Sequence, residues 1–245
     1  MRQARVVYEG RTLTATPCAN GVRLPDGTEL REEQVTWLPP AEFGTIFALG
    51  LNYADHVREL KFQKAPEEPL VFLKGPNALT GHRSVTHRPA DATFMHYECE
   101  LAVVIGKTCK NVPRERAHDV VRGYTVANDY AIRDYLENFY RPNLRVKNRD
   151  ACTPIGPWLV DKADVPDPMN LRLRTWVNDK LTQDGNTRDM VLDIAGLIEY
   201  LSGFMTLNPG DVILTGTPEG VVDCKSGDRV VTDIEGVGTL INFIE

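Results

Sequence analysis

The run Leu101-Ala-Val-Val-Ile105, stopped by Gly106, is apolar at every position and is the strongest strand signal in the chain. Other short runs lie between Gly and Pro punctuation and predict strands at 45–51, 70–74, 124–129 and 212–214. Residues 171–177 alternate apolar and polar with period two, and 229–234 and 239–244 can pair across Gly236-Val-Gly238. Helical spacing predicts helices over 52–61, 113–122 (with Pro113 at the first helical position), 131–140 and 190–204. Strands outnumber helices and do not alternate regularly with them, which excludes a doubly wound parallel sheet and predicts a β-rich α+β fold. Turn signals at Glu9-Gly10, Asn20-Gly21 and Asp26-Gly27 divide residues 1–40 into a small β meander. Pro39-Pro40 then marks a boundary, leaving 41–245 as the main domain.

Charge and composition remove several classes of function. The 245 residues carry 28 basic and 34 acidic side chains, a formal charge of −6, which argues against a nucleic-acid partner. No run approaches the length of a membrane span, and the opening MRQARVVYEG lacks the apolar segment of an export signal. The five cysteines include no CxxC pair, so reduced, buried thiols in a cytoplasmic protein are expected. GxGxxG, Walker and GxSxG motifs are absent, and with them support for nucleotide binding or serine hydrolysis.

Two constellations and a cationic group could carry chemistry. Glu98 and Glu100 are two apart at the start of the LAVVI strand, so both carboxylates project from one face. Like charges that close repel unless a cation sits between them, and a hard divalent ion such as Mg²⁺ answers that problem. Asp129, at the end of another predicted strand, would be a third ligand. On spacing alone, the solvated face of an edge strand is the better reading of the glutamate pair. His56 and Glu59 are three apart on a predicted helix, where the carboxylate can orient the imidazole for acid–base work. An exposed helical surface pair is the commoner use of that spacing. The stretch from Gly50 through Asn52 and Tyr53 reads as a mobile lid, and His96 is a second-choice ligand. Lys74, Arg133, Arg141, Arg145, Lys147 and Arg149 supply positive charge near these motifs. A lysine beside a divalent ion can stabilise an oxyanion or bind a carboxylate. The Gly-rich loop Thr215-Gly-Thr-Pro-Glu-Gly220 offers hydroxyls and backbone N–H groups, but an ordinary turn after a strand reads the same way and the loop alone decides nothing.

The segments GLNYADHVREL (50–60), PLVFLKGPNALTG (69–81), HYECELAVVIG (96–106), GYTVANDYAIRD (123–134), RVKNRDACTPIGPW (145–158) and LNPGDVILTGTPEGV (207–221) resemble the fumarylacetoacetate hydrolase family. The resemblance covers nearly everything from about residue 45 onward. It implies a mixed β-sandwich or roll with flanking helices and a small N-terminal β appendage. It puts metal ligands on Glu98, Glu100 and Asp129, with Mg²⁺ or Mn²⁺ as the ion. The family's His–Glu dyad falls on His56 and Glu59, its active-site lysine on Lys147, its substrate-contacting threonine on Thr217 and an arginine on Arg133. Lys74 and Arg141 join Arg133 as candidates for distal carboxylates. The run 128–147, with FMTLNPGD at 204–211, is similar to members that decarboxylate 5-oxopent-3-ene-1,2,5-tricarboxylate and isomerise 2-hydroxyhepta-2,4-diene-1,7-dioate in homoprotocatechuate degradation. The implied substrate is therefore a 2-oxo or 2-hydroxy dicarboxylate or tricarboxylate. The implied assembly is a homodimer, with a homologous partner subunit as a further option, since the sequence looks like one half of a fused pair. The alternatives are an acylpyruvate hydrolase or oxaloacetate decarboxylase of the same family, and a non-catalytic partner subunit.

Overall fold

A computed structural model describes residues 1–55, 68–136 and 143–245. The chain opens with β1 (Arg2–Tyr8), β2 (Arg11–Cys18), β3 (Gly21–Arg23), β4 (Glu29–Arg31) and β5 (Thr36–Leu38). β1 and β2 form a hairpin across Glu9 and Gly10, both at positive φ (46° and 73°), the conformation that matches the twist of a tight hairpin. β6 (Ile46–Gly50), β7 (Leu70–Lys74), β8 (Leu79–Thr80), β9 (Ser84–Thr86), β10 (Met95–His96) and β11 (Cys99–Ile105) follow. A short helix α1 (Ala117–Val120) leads into β12 (Val121–Asn128) and β13 (Ala131–Ile132), and α2 (Leu144–Lys147) precedes β14 (Thr153–Asp161). The remainder is β15 (Arg172–Val177), β16 (Lys180–Asn186), the long helix α3 (Ile194–Phe204), β17 (Val212–Leu214), β18 (Arg229–Ile234) and β19 (Gly238–Ile244).

Among the described residues the strands form two large mixed sheets and one small pair. The larger runs β4-β3-β2-β1-β14-β12-β11-β17-β6-β7, with β5 on β1 and β8 on β14. The second runs β16-β15-β18-β19-β9, and β10 pairs with β13. The fold is thus the β-rich α+β architecture that the short apolar runs predicted. Through the pairing of Arg2 with Val160 and Gln3 with Leu159, β1 joins the first five strands to the large sheet. Those strands also keep an apolar cluster of their own, in which Val6, Ala15, Val22 and Trp37 are buried and Trp158 packs from the main sheet. The Trp37 and Trp158 rings meet edge to face, 5.4 Å apart.

β11 is buried on both faces. Leu101, Val103 and Ile105 face a core completed by Leu197, Ile198 and Leu201 of α3, while Ala102 and Val104 pack among Ile46, Ala48, Val212 and Leu214. A strand covered on both sides reads as a continuous apolar run, which is why LAVVI lacks alternation. It is flanked by β12 and β17 and is not an edge strand.

Three expected helices depart from their spacing among the described residues. In place of 113–122 there is a 3₁₀ turn at Arg114–Arg116, which Pro113 precedes, and then the four-residue α1. Val121 and Arg122 are instead the start of β12, because pairing with β11 outweighs their helical spacing. In place of a helix from 131, Ala131 and Ile132 pair with His96 and Met95, and a 3₁₀ turn occupies Arg133–Tyr135. The end of that expected helix lies outside the described residues. α3 starts at Ile194 and not at 190, with the Asp193 carboxylate accepting from the Gly196 N–H at 2.8 Å.

Candidate active site

The antiparallel register of β11 and β12 assembles the acidic cluster. Cys99 pairs with Asn128 and Glu100 with Ala127, and one step further the Asp129 N–H donates to the Glu98 carbonyl at 2.9 Å. Glu98 and Asp129 are therefore opposite one another, and Glu100 is two residues along on the same face. One carboxylate oxygen from each lies within 4.8 Å of the others, and all three residues are buried. β17 closes the third side. Thr215 continues the β17 ladder onto the Leu101 carbonyl, and the Gly216 N–H donates to Glu100 Oε2 at 2.6 Å. Gly216 has φ of 89° and packs so closely on Asn52 that a Cβ there would sit 3.0 Å from the Asn52 Cβ.

Two lysines meet the acids. Lys74, at the end of β7, donates to Asp129 Oδ1 at 2.6 Å and to the Lys147 carbonyl oxygen. Lys147, at the end of α2, reaches Glu98 Oε2 at 2.5 Å and lies 3.0 Å from Asp129 Oδ2. Among the described residues, three carboxylates against two ammonium groups leave one formal negative charge in a buried site. Burial first, and then the charges of Asp129 and Glu98, push the Glu100 carboxyl well above the ordinary carboxylate range. Burial by itself would lower Lys147, but Asp129 and Glu98 hold it above its ordinary value.

The donor set fits a divalent cation. Among the described residues, Glu100 Oε1 and Asp129 Oδ2 are buried and accept no hydrogen bond, although Asp129 Oδ2 is within ion-pair distance of Lys147. Orphaned anionic oxygens are costly in a dry interior, and an oxygen-seeking divalent ion satisfies them.

Other predicted residues surround this centre. His96 is fully buried, with Nδ1 donating to the Tyr97 carbonyl at 3.0 Å and Nε2 accepting from Arg133 Nε at 2.8 Å. Burial leads the causes that lower its pKa to about 4, so the ring is neutral and both nitrogens are occupied by protein. Arg133 is consequently oriented by His96. Thr217 is buried one residue beyond Gly216, and its hydroxyl accepts from Gln183 Nε2 at 2.9 Å. Arg145 stacks on the Tyr135 ring at 3.8 Å, and Arg149 is 6.0 Å from the same ring, so the two share an aromatic face. His56, Glu59 and Arg141 lie outside the described residues. Asn52 and Tyr53, expected in a mobile lid, are 5% and 1% exposed. The Asn52 side chain donates to the Thr215 and Leu192 carbonyls and accepts from the Leu192 N–H, so this end of the segment is fixed. Gln183 had no signature, since β16 lacks a clear period, whereas the Gly216 amide belongs to the Gly-rich loop whose backbone N–H groups the sequence offered.

Residues 45–245 match the model of the fumarylacetoacetate (FAA) hydrolase C-terminal family, and the chain belongs to that family. The 4-hydroxyphenylacetate degradation bifunctional isomerase/decarboxylase of Salmonella dublin is 59% identical over 214 residues, which cover 87% of this chain and 49% of that protein. The chain thus spans about half the length of this relative. Among solved structures, the 5-carboxymethyl-2-hydroxymuconate delta-isomerase of Mycobacterium smegmatis superposes with a TM-score of 0.85 at 38% identity, covering 100% of this chain and 98% of its own. Maleylpyruvate hydrolase of Sphingobium sp. SYK-6, in complex with manganese(II) ion and pyruvate, superposes at 0.82 with 31% identity, again over 100% and 98%.

Proposed function

We propose that the chain decarboxylates 5-oxopent-3-ene-1,2,5-tricarboxylate and isomerises 2-hydroxyhepta-2,4-diene-1,7-dioate to its 2-oxo-3-ene form, in 4-hydroxyphenylacetate (homoprotocatechuate) degradation. The observation that carries this reading is the buried set Glu98, Glu100, Asp129, Lys74 and Lys147, on a chain 59% identical to half of a bifunctional isomerase/decarboxylase. Glu98, Glu100 and Asp129 would hold Mg²⁺, or Mn²⁺ in its place, and when bound that ion supplies a Lewis acid for a 2-oxo acid.

The chain's own groups then divide the work. With the carboxylate of the 2-oxo acid counted as C1, CO₂ leaves C5 and its bonding pair moves through the double bond to the C2 oxygen, giving a dienolate that takes up one proton. Lys147 presents an ammonium group to that developing negative charge. Isomerisation passes through the same dienolate, with the proton delivered to C5, so one site serves both reactions. His56, oriented by Glu59, is the proposed shuttle for that proton. Thr217, Arg133 and Arg141 receive the substrate's carboxylates, and Lys74 acts through Asp129 by holding it in place. We read the assembly as a cytoplasmic homodimer, with a homologous partner subunit as the other arrangement, given the half-length match.

A turnover assay on EDTA-stripped protein, following the tricarboxylate and then the dienol with and without Mg²⁺, tests this reading. Both compounds should disappear only with the metal, and Glu98→Ala should lower the rates on the order of a hundredfold or more. Turnover of the dienol alone would make the chain an isomerase that needs a partner. The Mn²⁺- and pyruvate-bound hydrolase relative supports a second reading, hydrolysis of an acylpyruvate. Cleavage of acetylpyruvate with no reaction of the other two compounds would establish that one instead.

A further inference from the structure

A file of five buried side chains runs behind the site and links the two large sheets. Thr217 Oγ1 accepts from Gln183 Nε2 at 2.9 Å, and Gln183 Oε1 accepts from Thr175 Oγ1 at 3.0 Å. The Thr175 and Thr232 hydroxyls are 3.5 Å apart, and Thr232 Oγ1 donates to Asn128 Oδ1 at 3.1 Å. None of the five is more than 3% exposed. The file touches the site at both ends, because Asn128 precedes Asp129 and Thr217 follows the Gly216 amide that serves Glu100.

The direction of the Gln183 bonds is fixed by a carbonyl. Pro218 O can only accept, and it lies 2.7 Å from one terminal atom of Gln183, so that atom is the amide nitrogen. The two N–H protons of Gln183 are therefore committed to Pro218 O and Thr217 Oγ1, leaving Oε1 for Thr175. With its oxygen accepting from Gln183, Thr217 keeps its own proton, and no acceptor for that proton occurs among the described residues. A hydroxyl in that state, one residue from the amide that serves Glu100, has a proton to offer a ligand.

We propose that Gln183 is a positioning residue that fixes the Thr217 hydroxyl as a hydrogen-bond donor to a carboxylate oxygen of the bound 2-oxo acid. This rests on the reading of the site as one for 2-oxo acids. Gln183→Glu keeps the shape but puts an acceptor where the donor was, so the Thr217 proton turns inward and is lost to the substrate.

The test is calorimetric titration of the Mn²⁺-loaded protein with pyruvate. Gln183→Glu and Thr217→Val should each weaken pyruvate about tenfold or more, as expected for a hydrogen bond to a charged group. In the double variant the loss should be no larger than in Thr217→Val alone, because Gln183 acts through that hydroxyl. Mn²⁺ affinity, titrated separately, should be unchanged by either substitution. Gln183→Met, which removes the lock without adding charge, should show a smaller loss that also vanishes in the Thr217→Val background, and it serves if the glutamate variant does not fold. Equal losses with and without Thr217, a parallel fall in Mn²⁺ affinity, or unchanged pyruvate binding would each overturn the proposal. Absence of pyruvate binding by the unaltered protein would overturn both the proposal and the 2-oxo acid reading. If the expected pattern holds while neither the tricarboxylate nor the dienol reacts, the role of Gln183 stands and only the substrate assignment falls.

Discussion

Lys74 illustrates how a single buried side chain can hold a cluster of acids together. Its side chain has no exposure, and its ammonium group is taken up by Asp129 and the Lys147 carbonyl. Lys74→Met would leave three clustered carboxylates with one cation, a loss of roughly 3–5 kcal/mol for a broken buried pair. A bound divalent ion restores the missing charge, so urea unfolding should show the full loss in EDTA and a much smaller one in Mg²⁺. A loss of equal size in both buffers would mean that Lys74 contributes packing and not charge. The glutamate pair was legible from the sequence because two-residue spacing in a strand sets two side chains on one face. Its burial was not, since an edge strand has the same spacing, and only the pairing of β11 with β12 and β17 decides between them. The His96–Arg133 bond joins residues 37 apart, and nothing in their local sequence announces it.

The elements read well where a local pattern and the tertiary fold agree. α3 has its apolar spacing and its cap, and both have measurable consequences. Asp193→Ala removes the acceptor for Gly196 and should cost about 1 kcal/mol. For a chain of this size, that lowers the thermal midpoint by roughly 2–4 °C. The Asp193–Arg114 pair is partly exposed and adds little. Leu201→Ala, at a position with no exposure against β11, should cost about 2–5 kcal/mol, and a value below that range would mean the core there closes over the gap. β14 was not legible. Its sequence TPIGPWLVD carries two prolines and a glycine, which locally read as breakers. The strand survives because its register on β12 jumps from Gly156↔Val126 to Val160↔Tyr124, so Pro157 falls in a bulge where no ladder N–H is required. β16 escaped for a related reason: its register on β15 shifts between Thr175 and Trp176, which breaks the period that a strand would otherwise show.

At the scale of the molecule, the joint between the first five strands and the rest carries a pH dependence. His82 is buried, accepts from the Ile241 N–H through Nδ1 at 3.1 Å, and has Nε2 3.5 Å from Glu32. Burial lowers its pKa below 6.5, Glu32 pulls it back up, and the nearby Arg83 pushes it down. The folded protein thus holds His82 neutral where the unfolded chain would already bind a proton. Stability should therefore fall as the pH drops below about 6.5 toward the lower folded value, and be fully present above it. Urea unfolding at about pH 7.5 and pH 5.5 should give a larger difference for the unaltered protein than for His82→Gln. Equal differences would remove His82 from the account. Glu32, itself held below its ordinary 4.5 chiefly by His82, contributes with the same sign in a separate window below that value.

β11 acquires one neighbour, β12, within the next two dozen residues, but its other neighbour, β17, does not begin until Val212. During synthesis at ordinary speed that interval lasts on the order of ten seconds. Throughout it, Glu98 and Glu100 lie on a nascent hairpin with one flank open and without the Gly216 amide to receive Glu100. A ribosome-stalled chain ending before Val212 should therefore bind no divalent ion at this centre, while one extended past Gly216 and clear of the exit tunnel should. The acidic centre is among the last parts of the molecule to come into being.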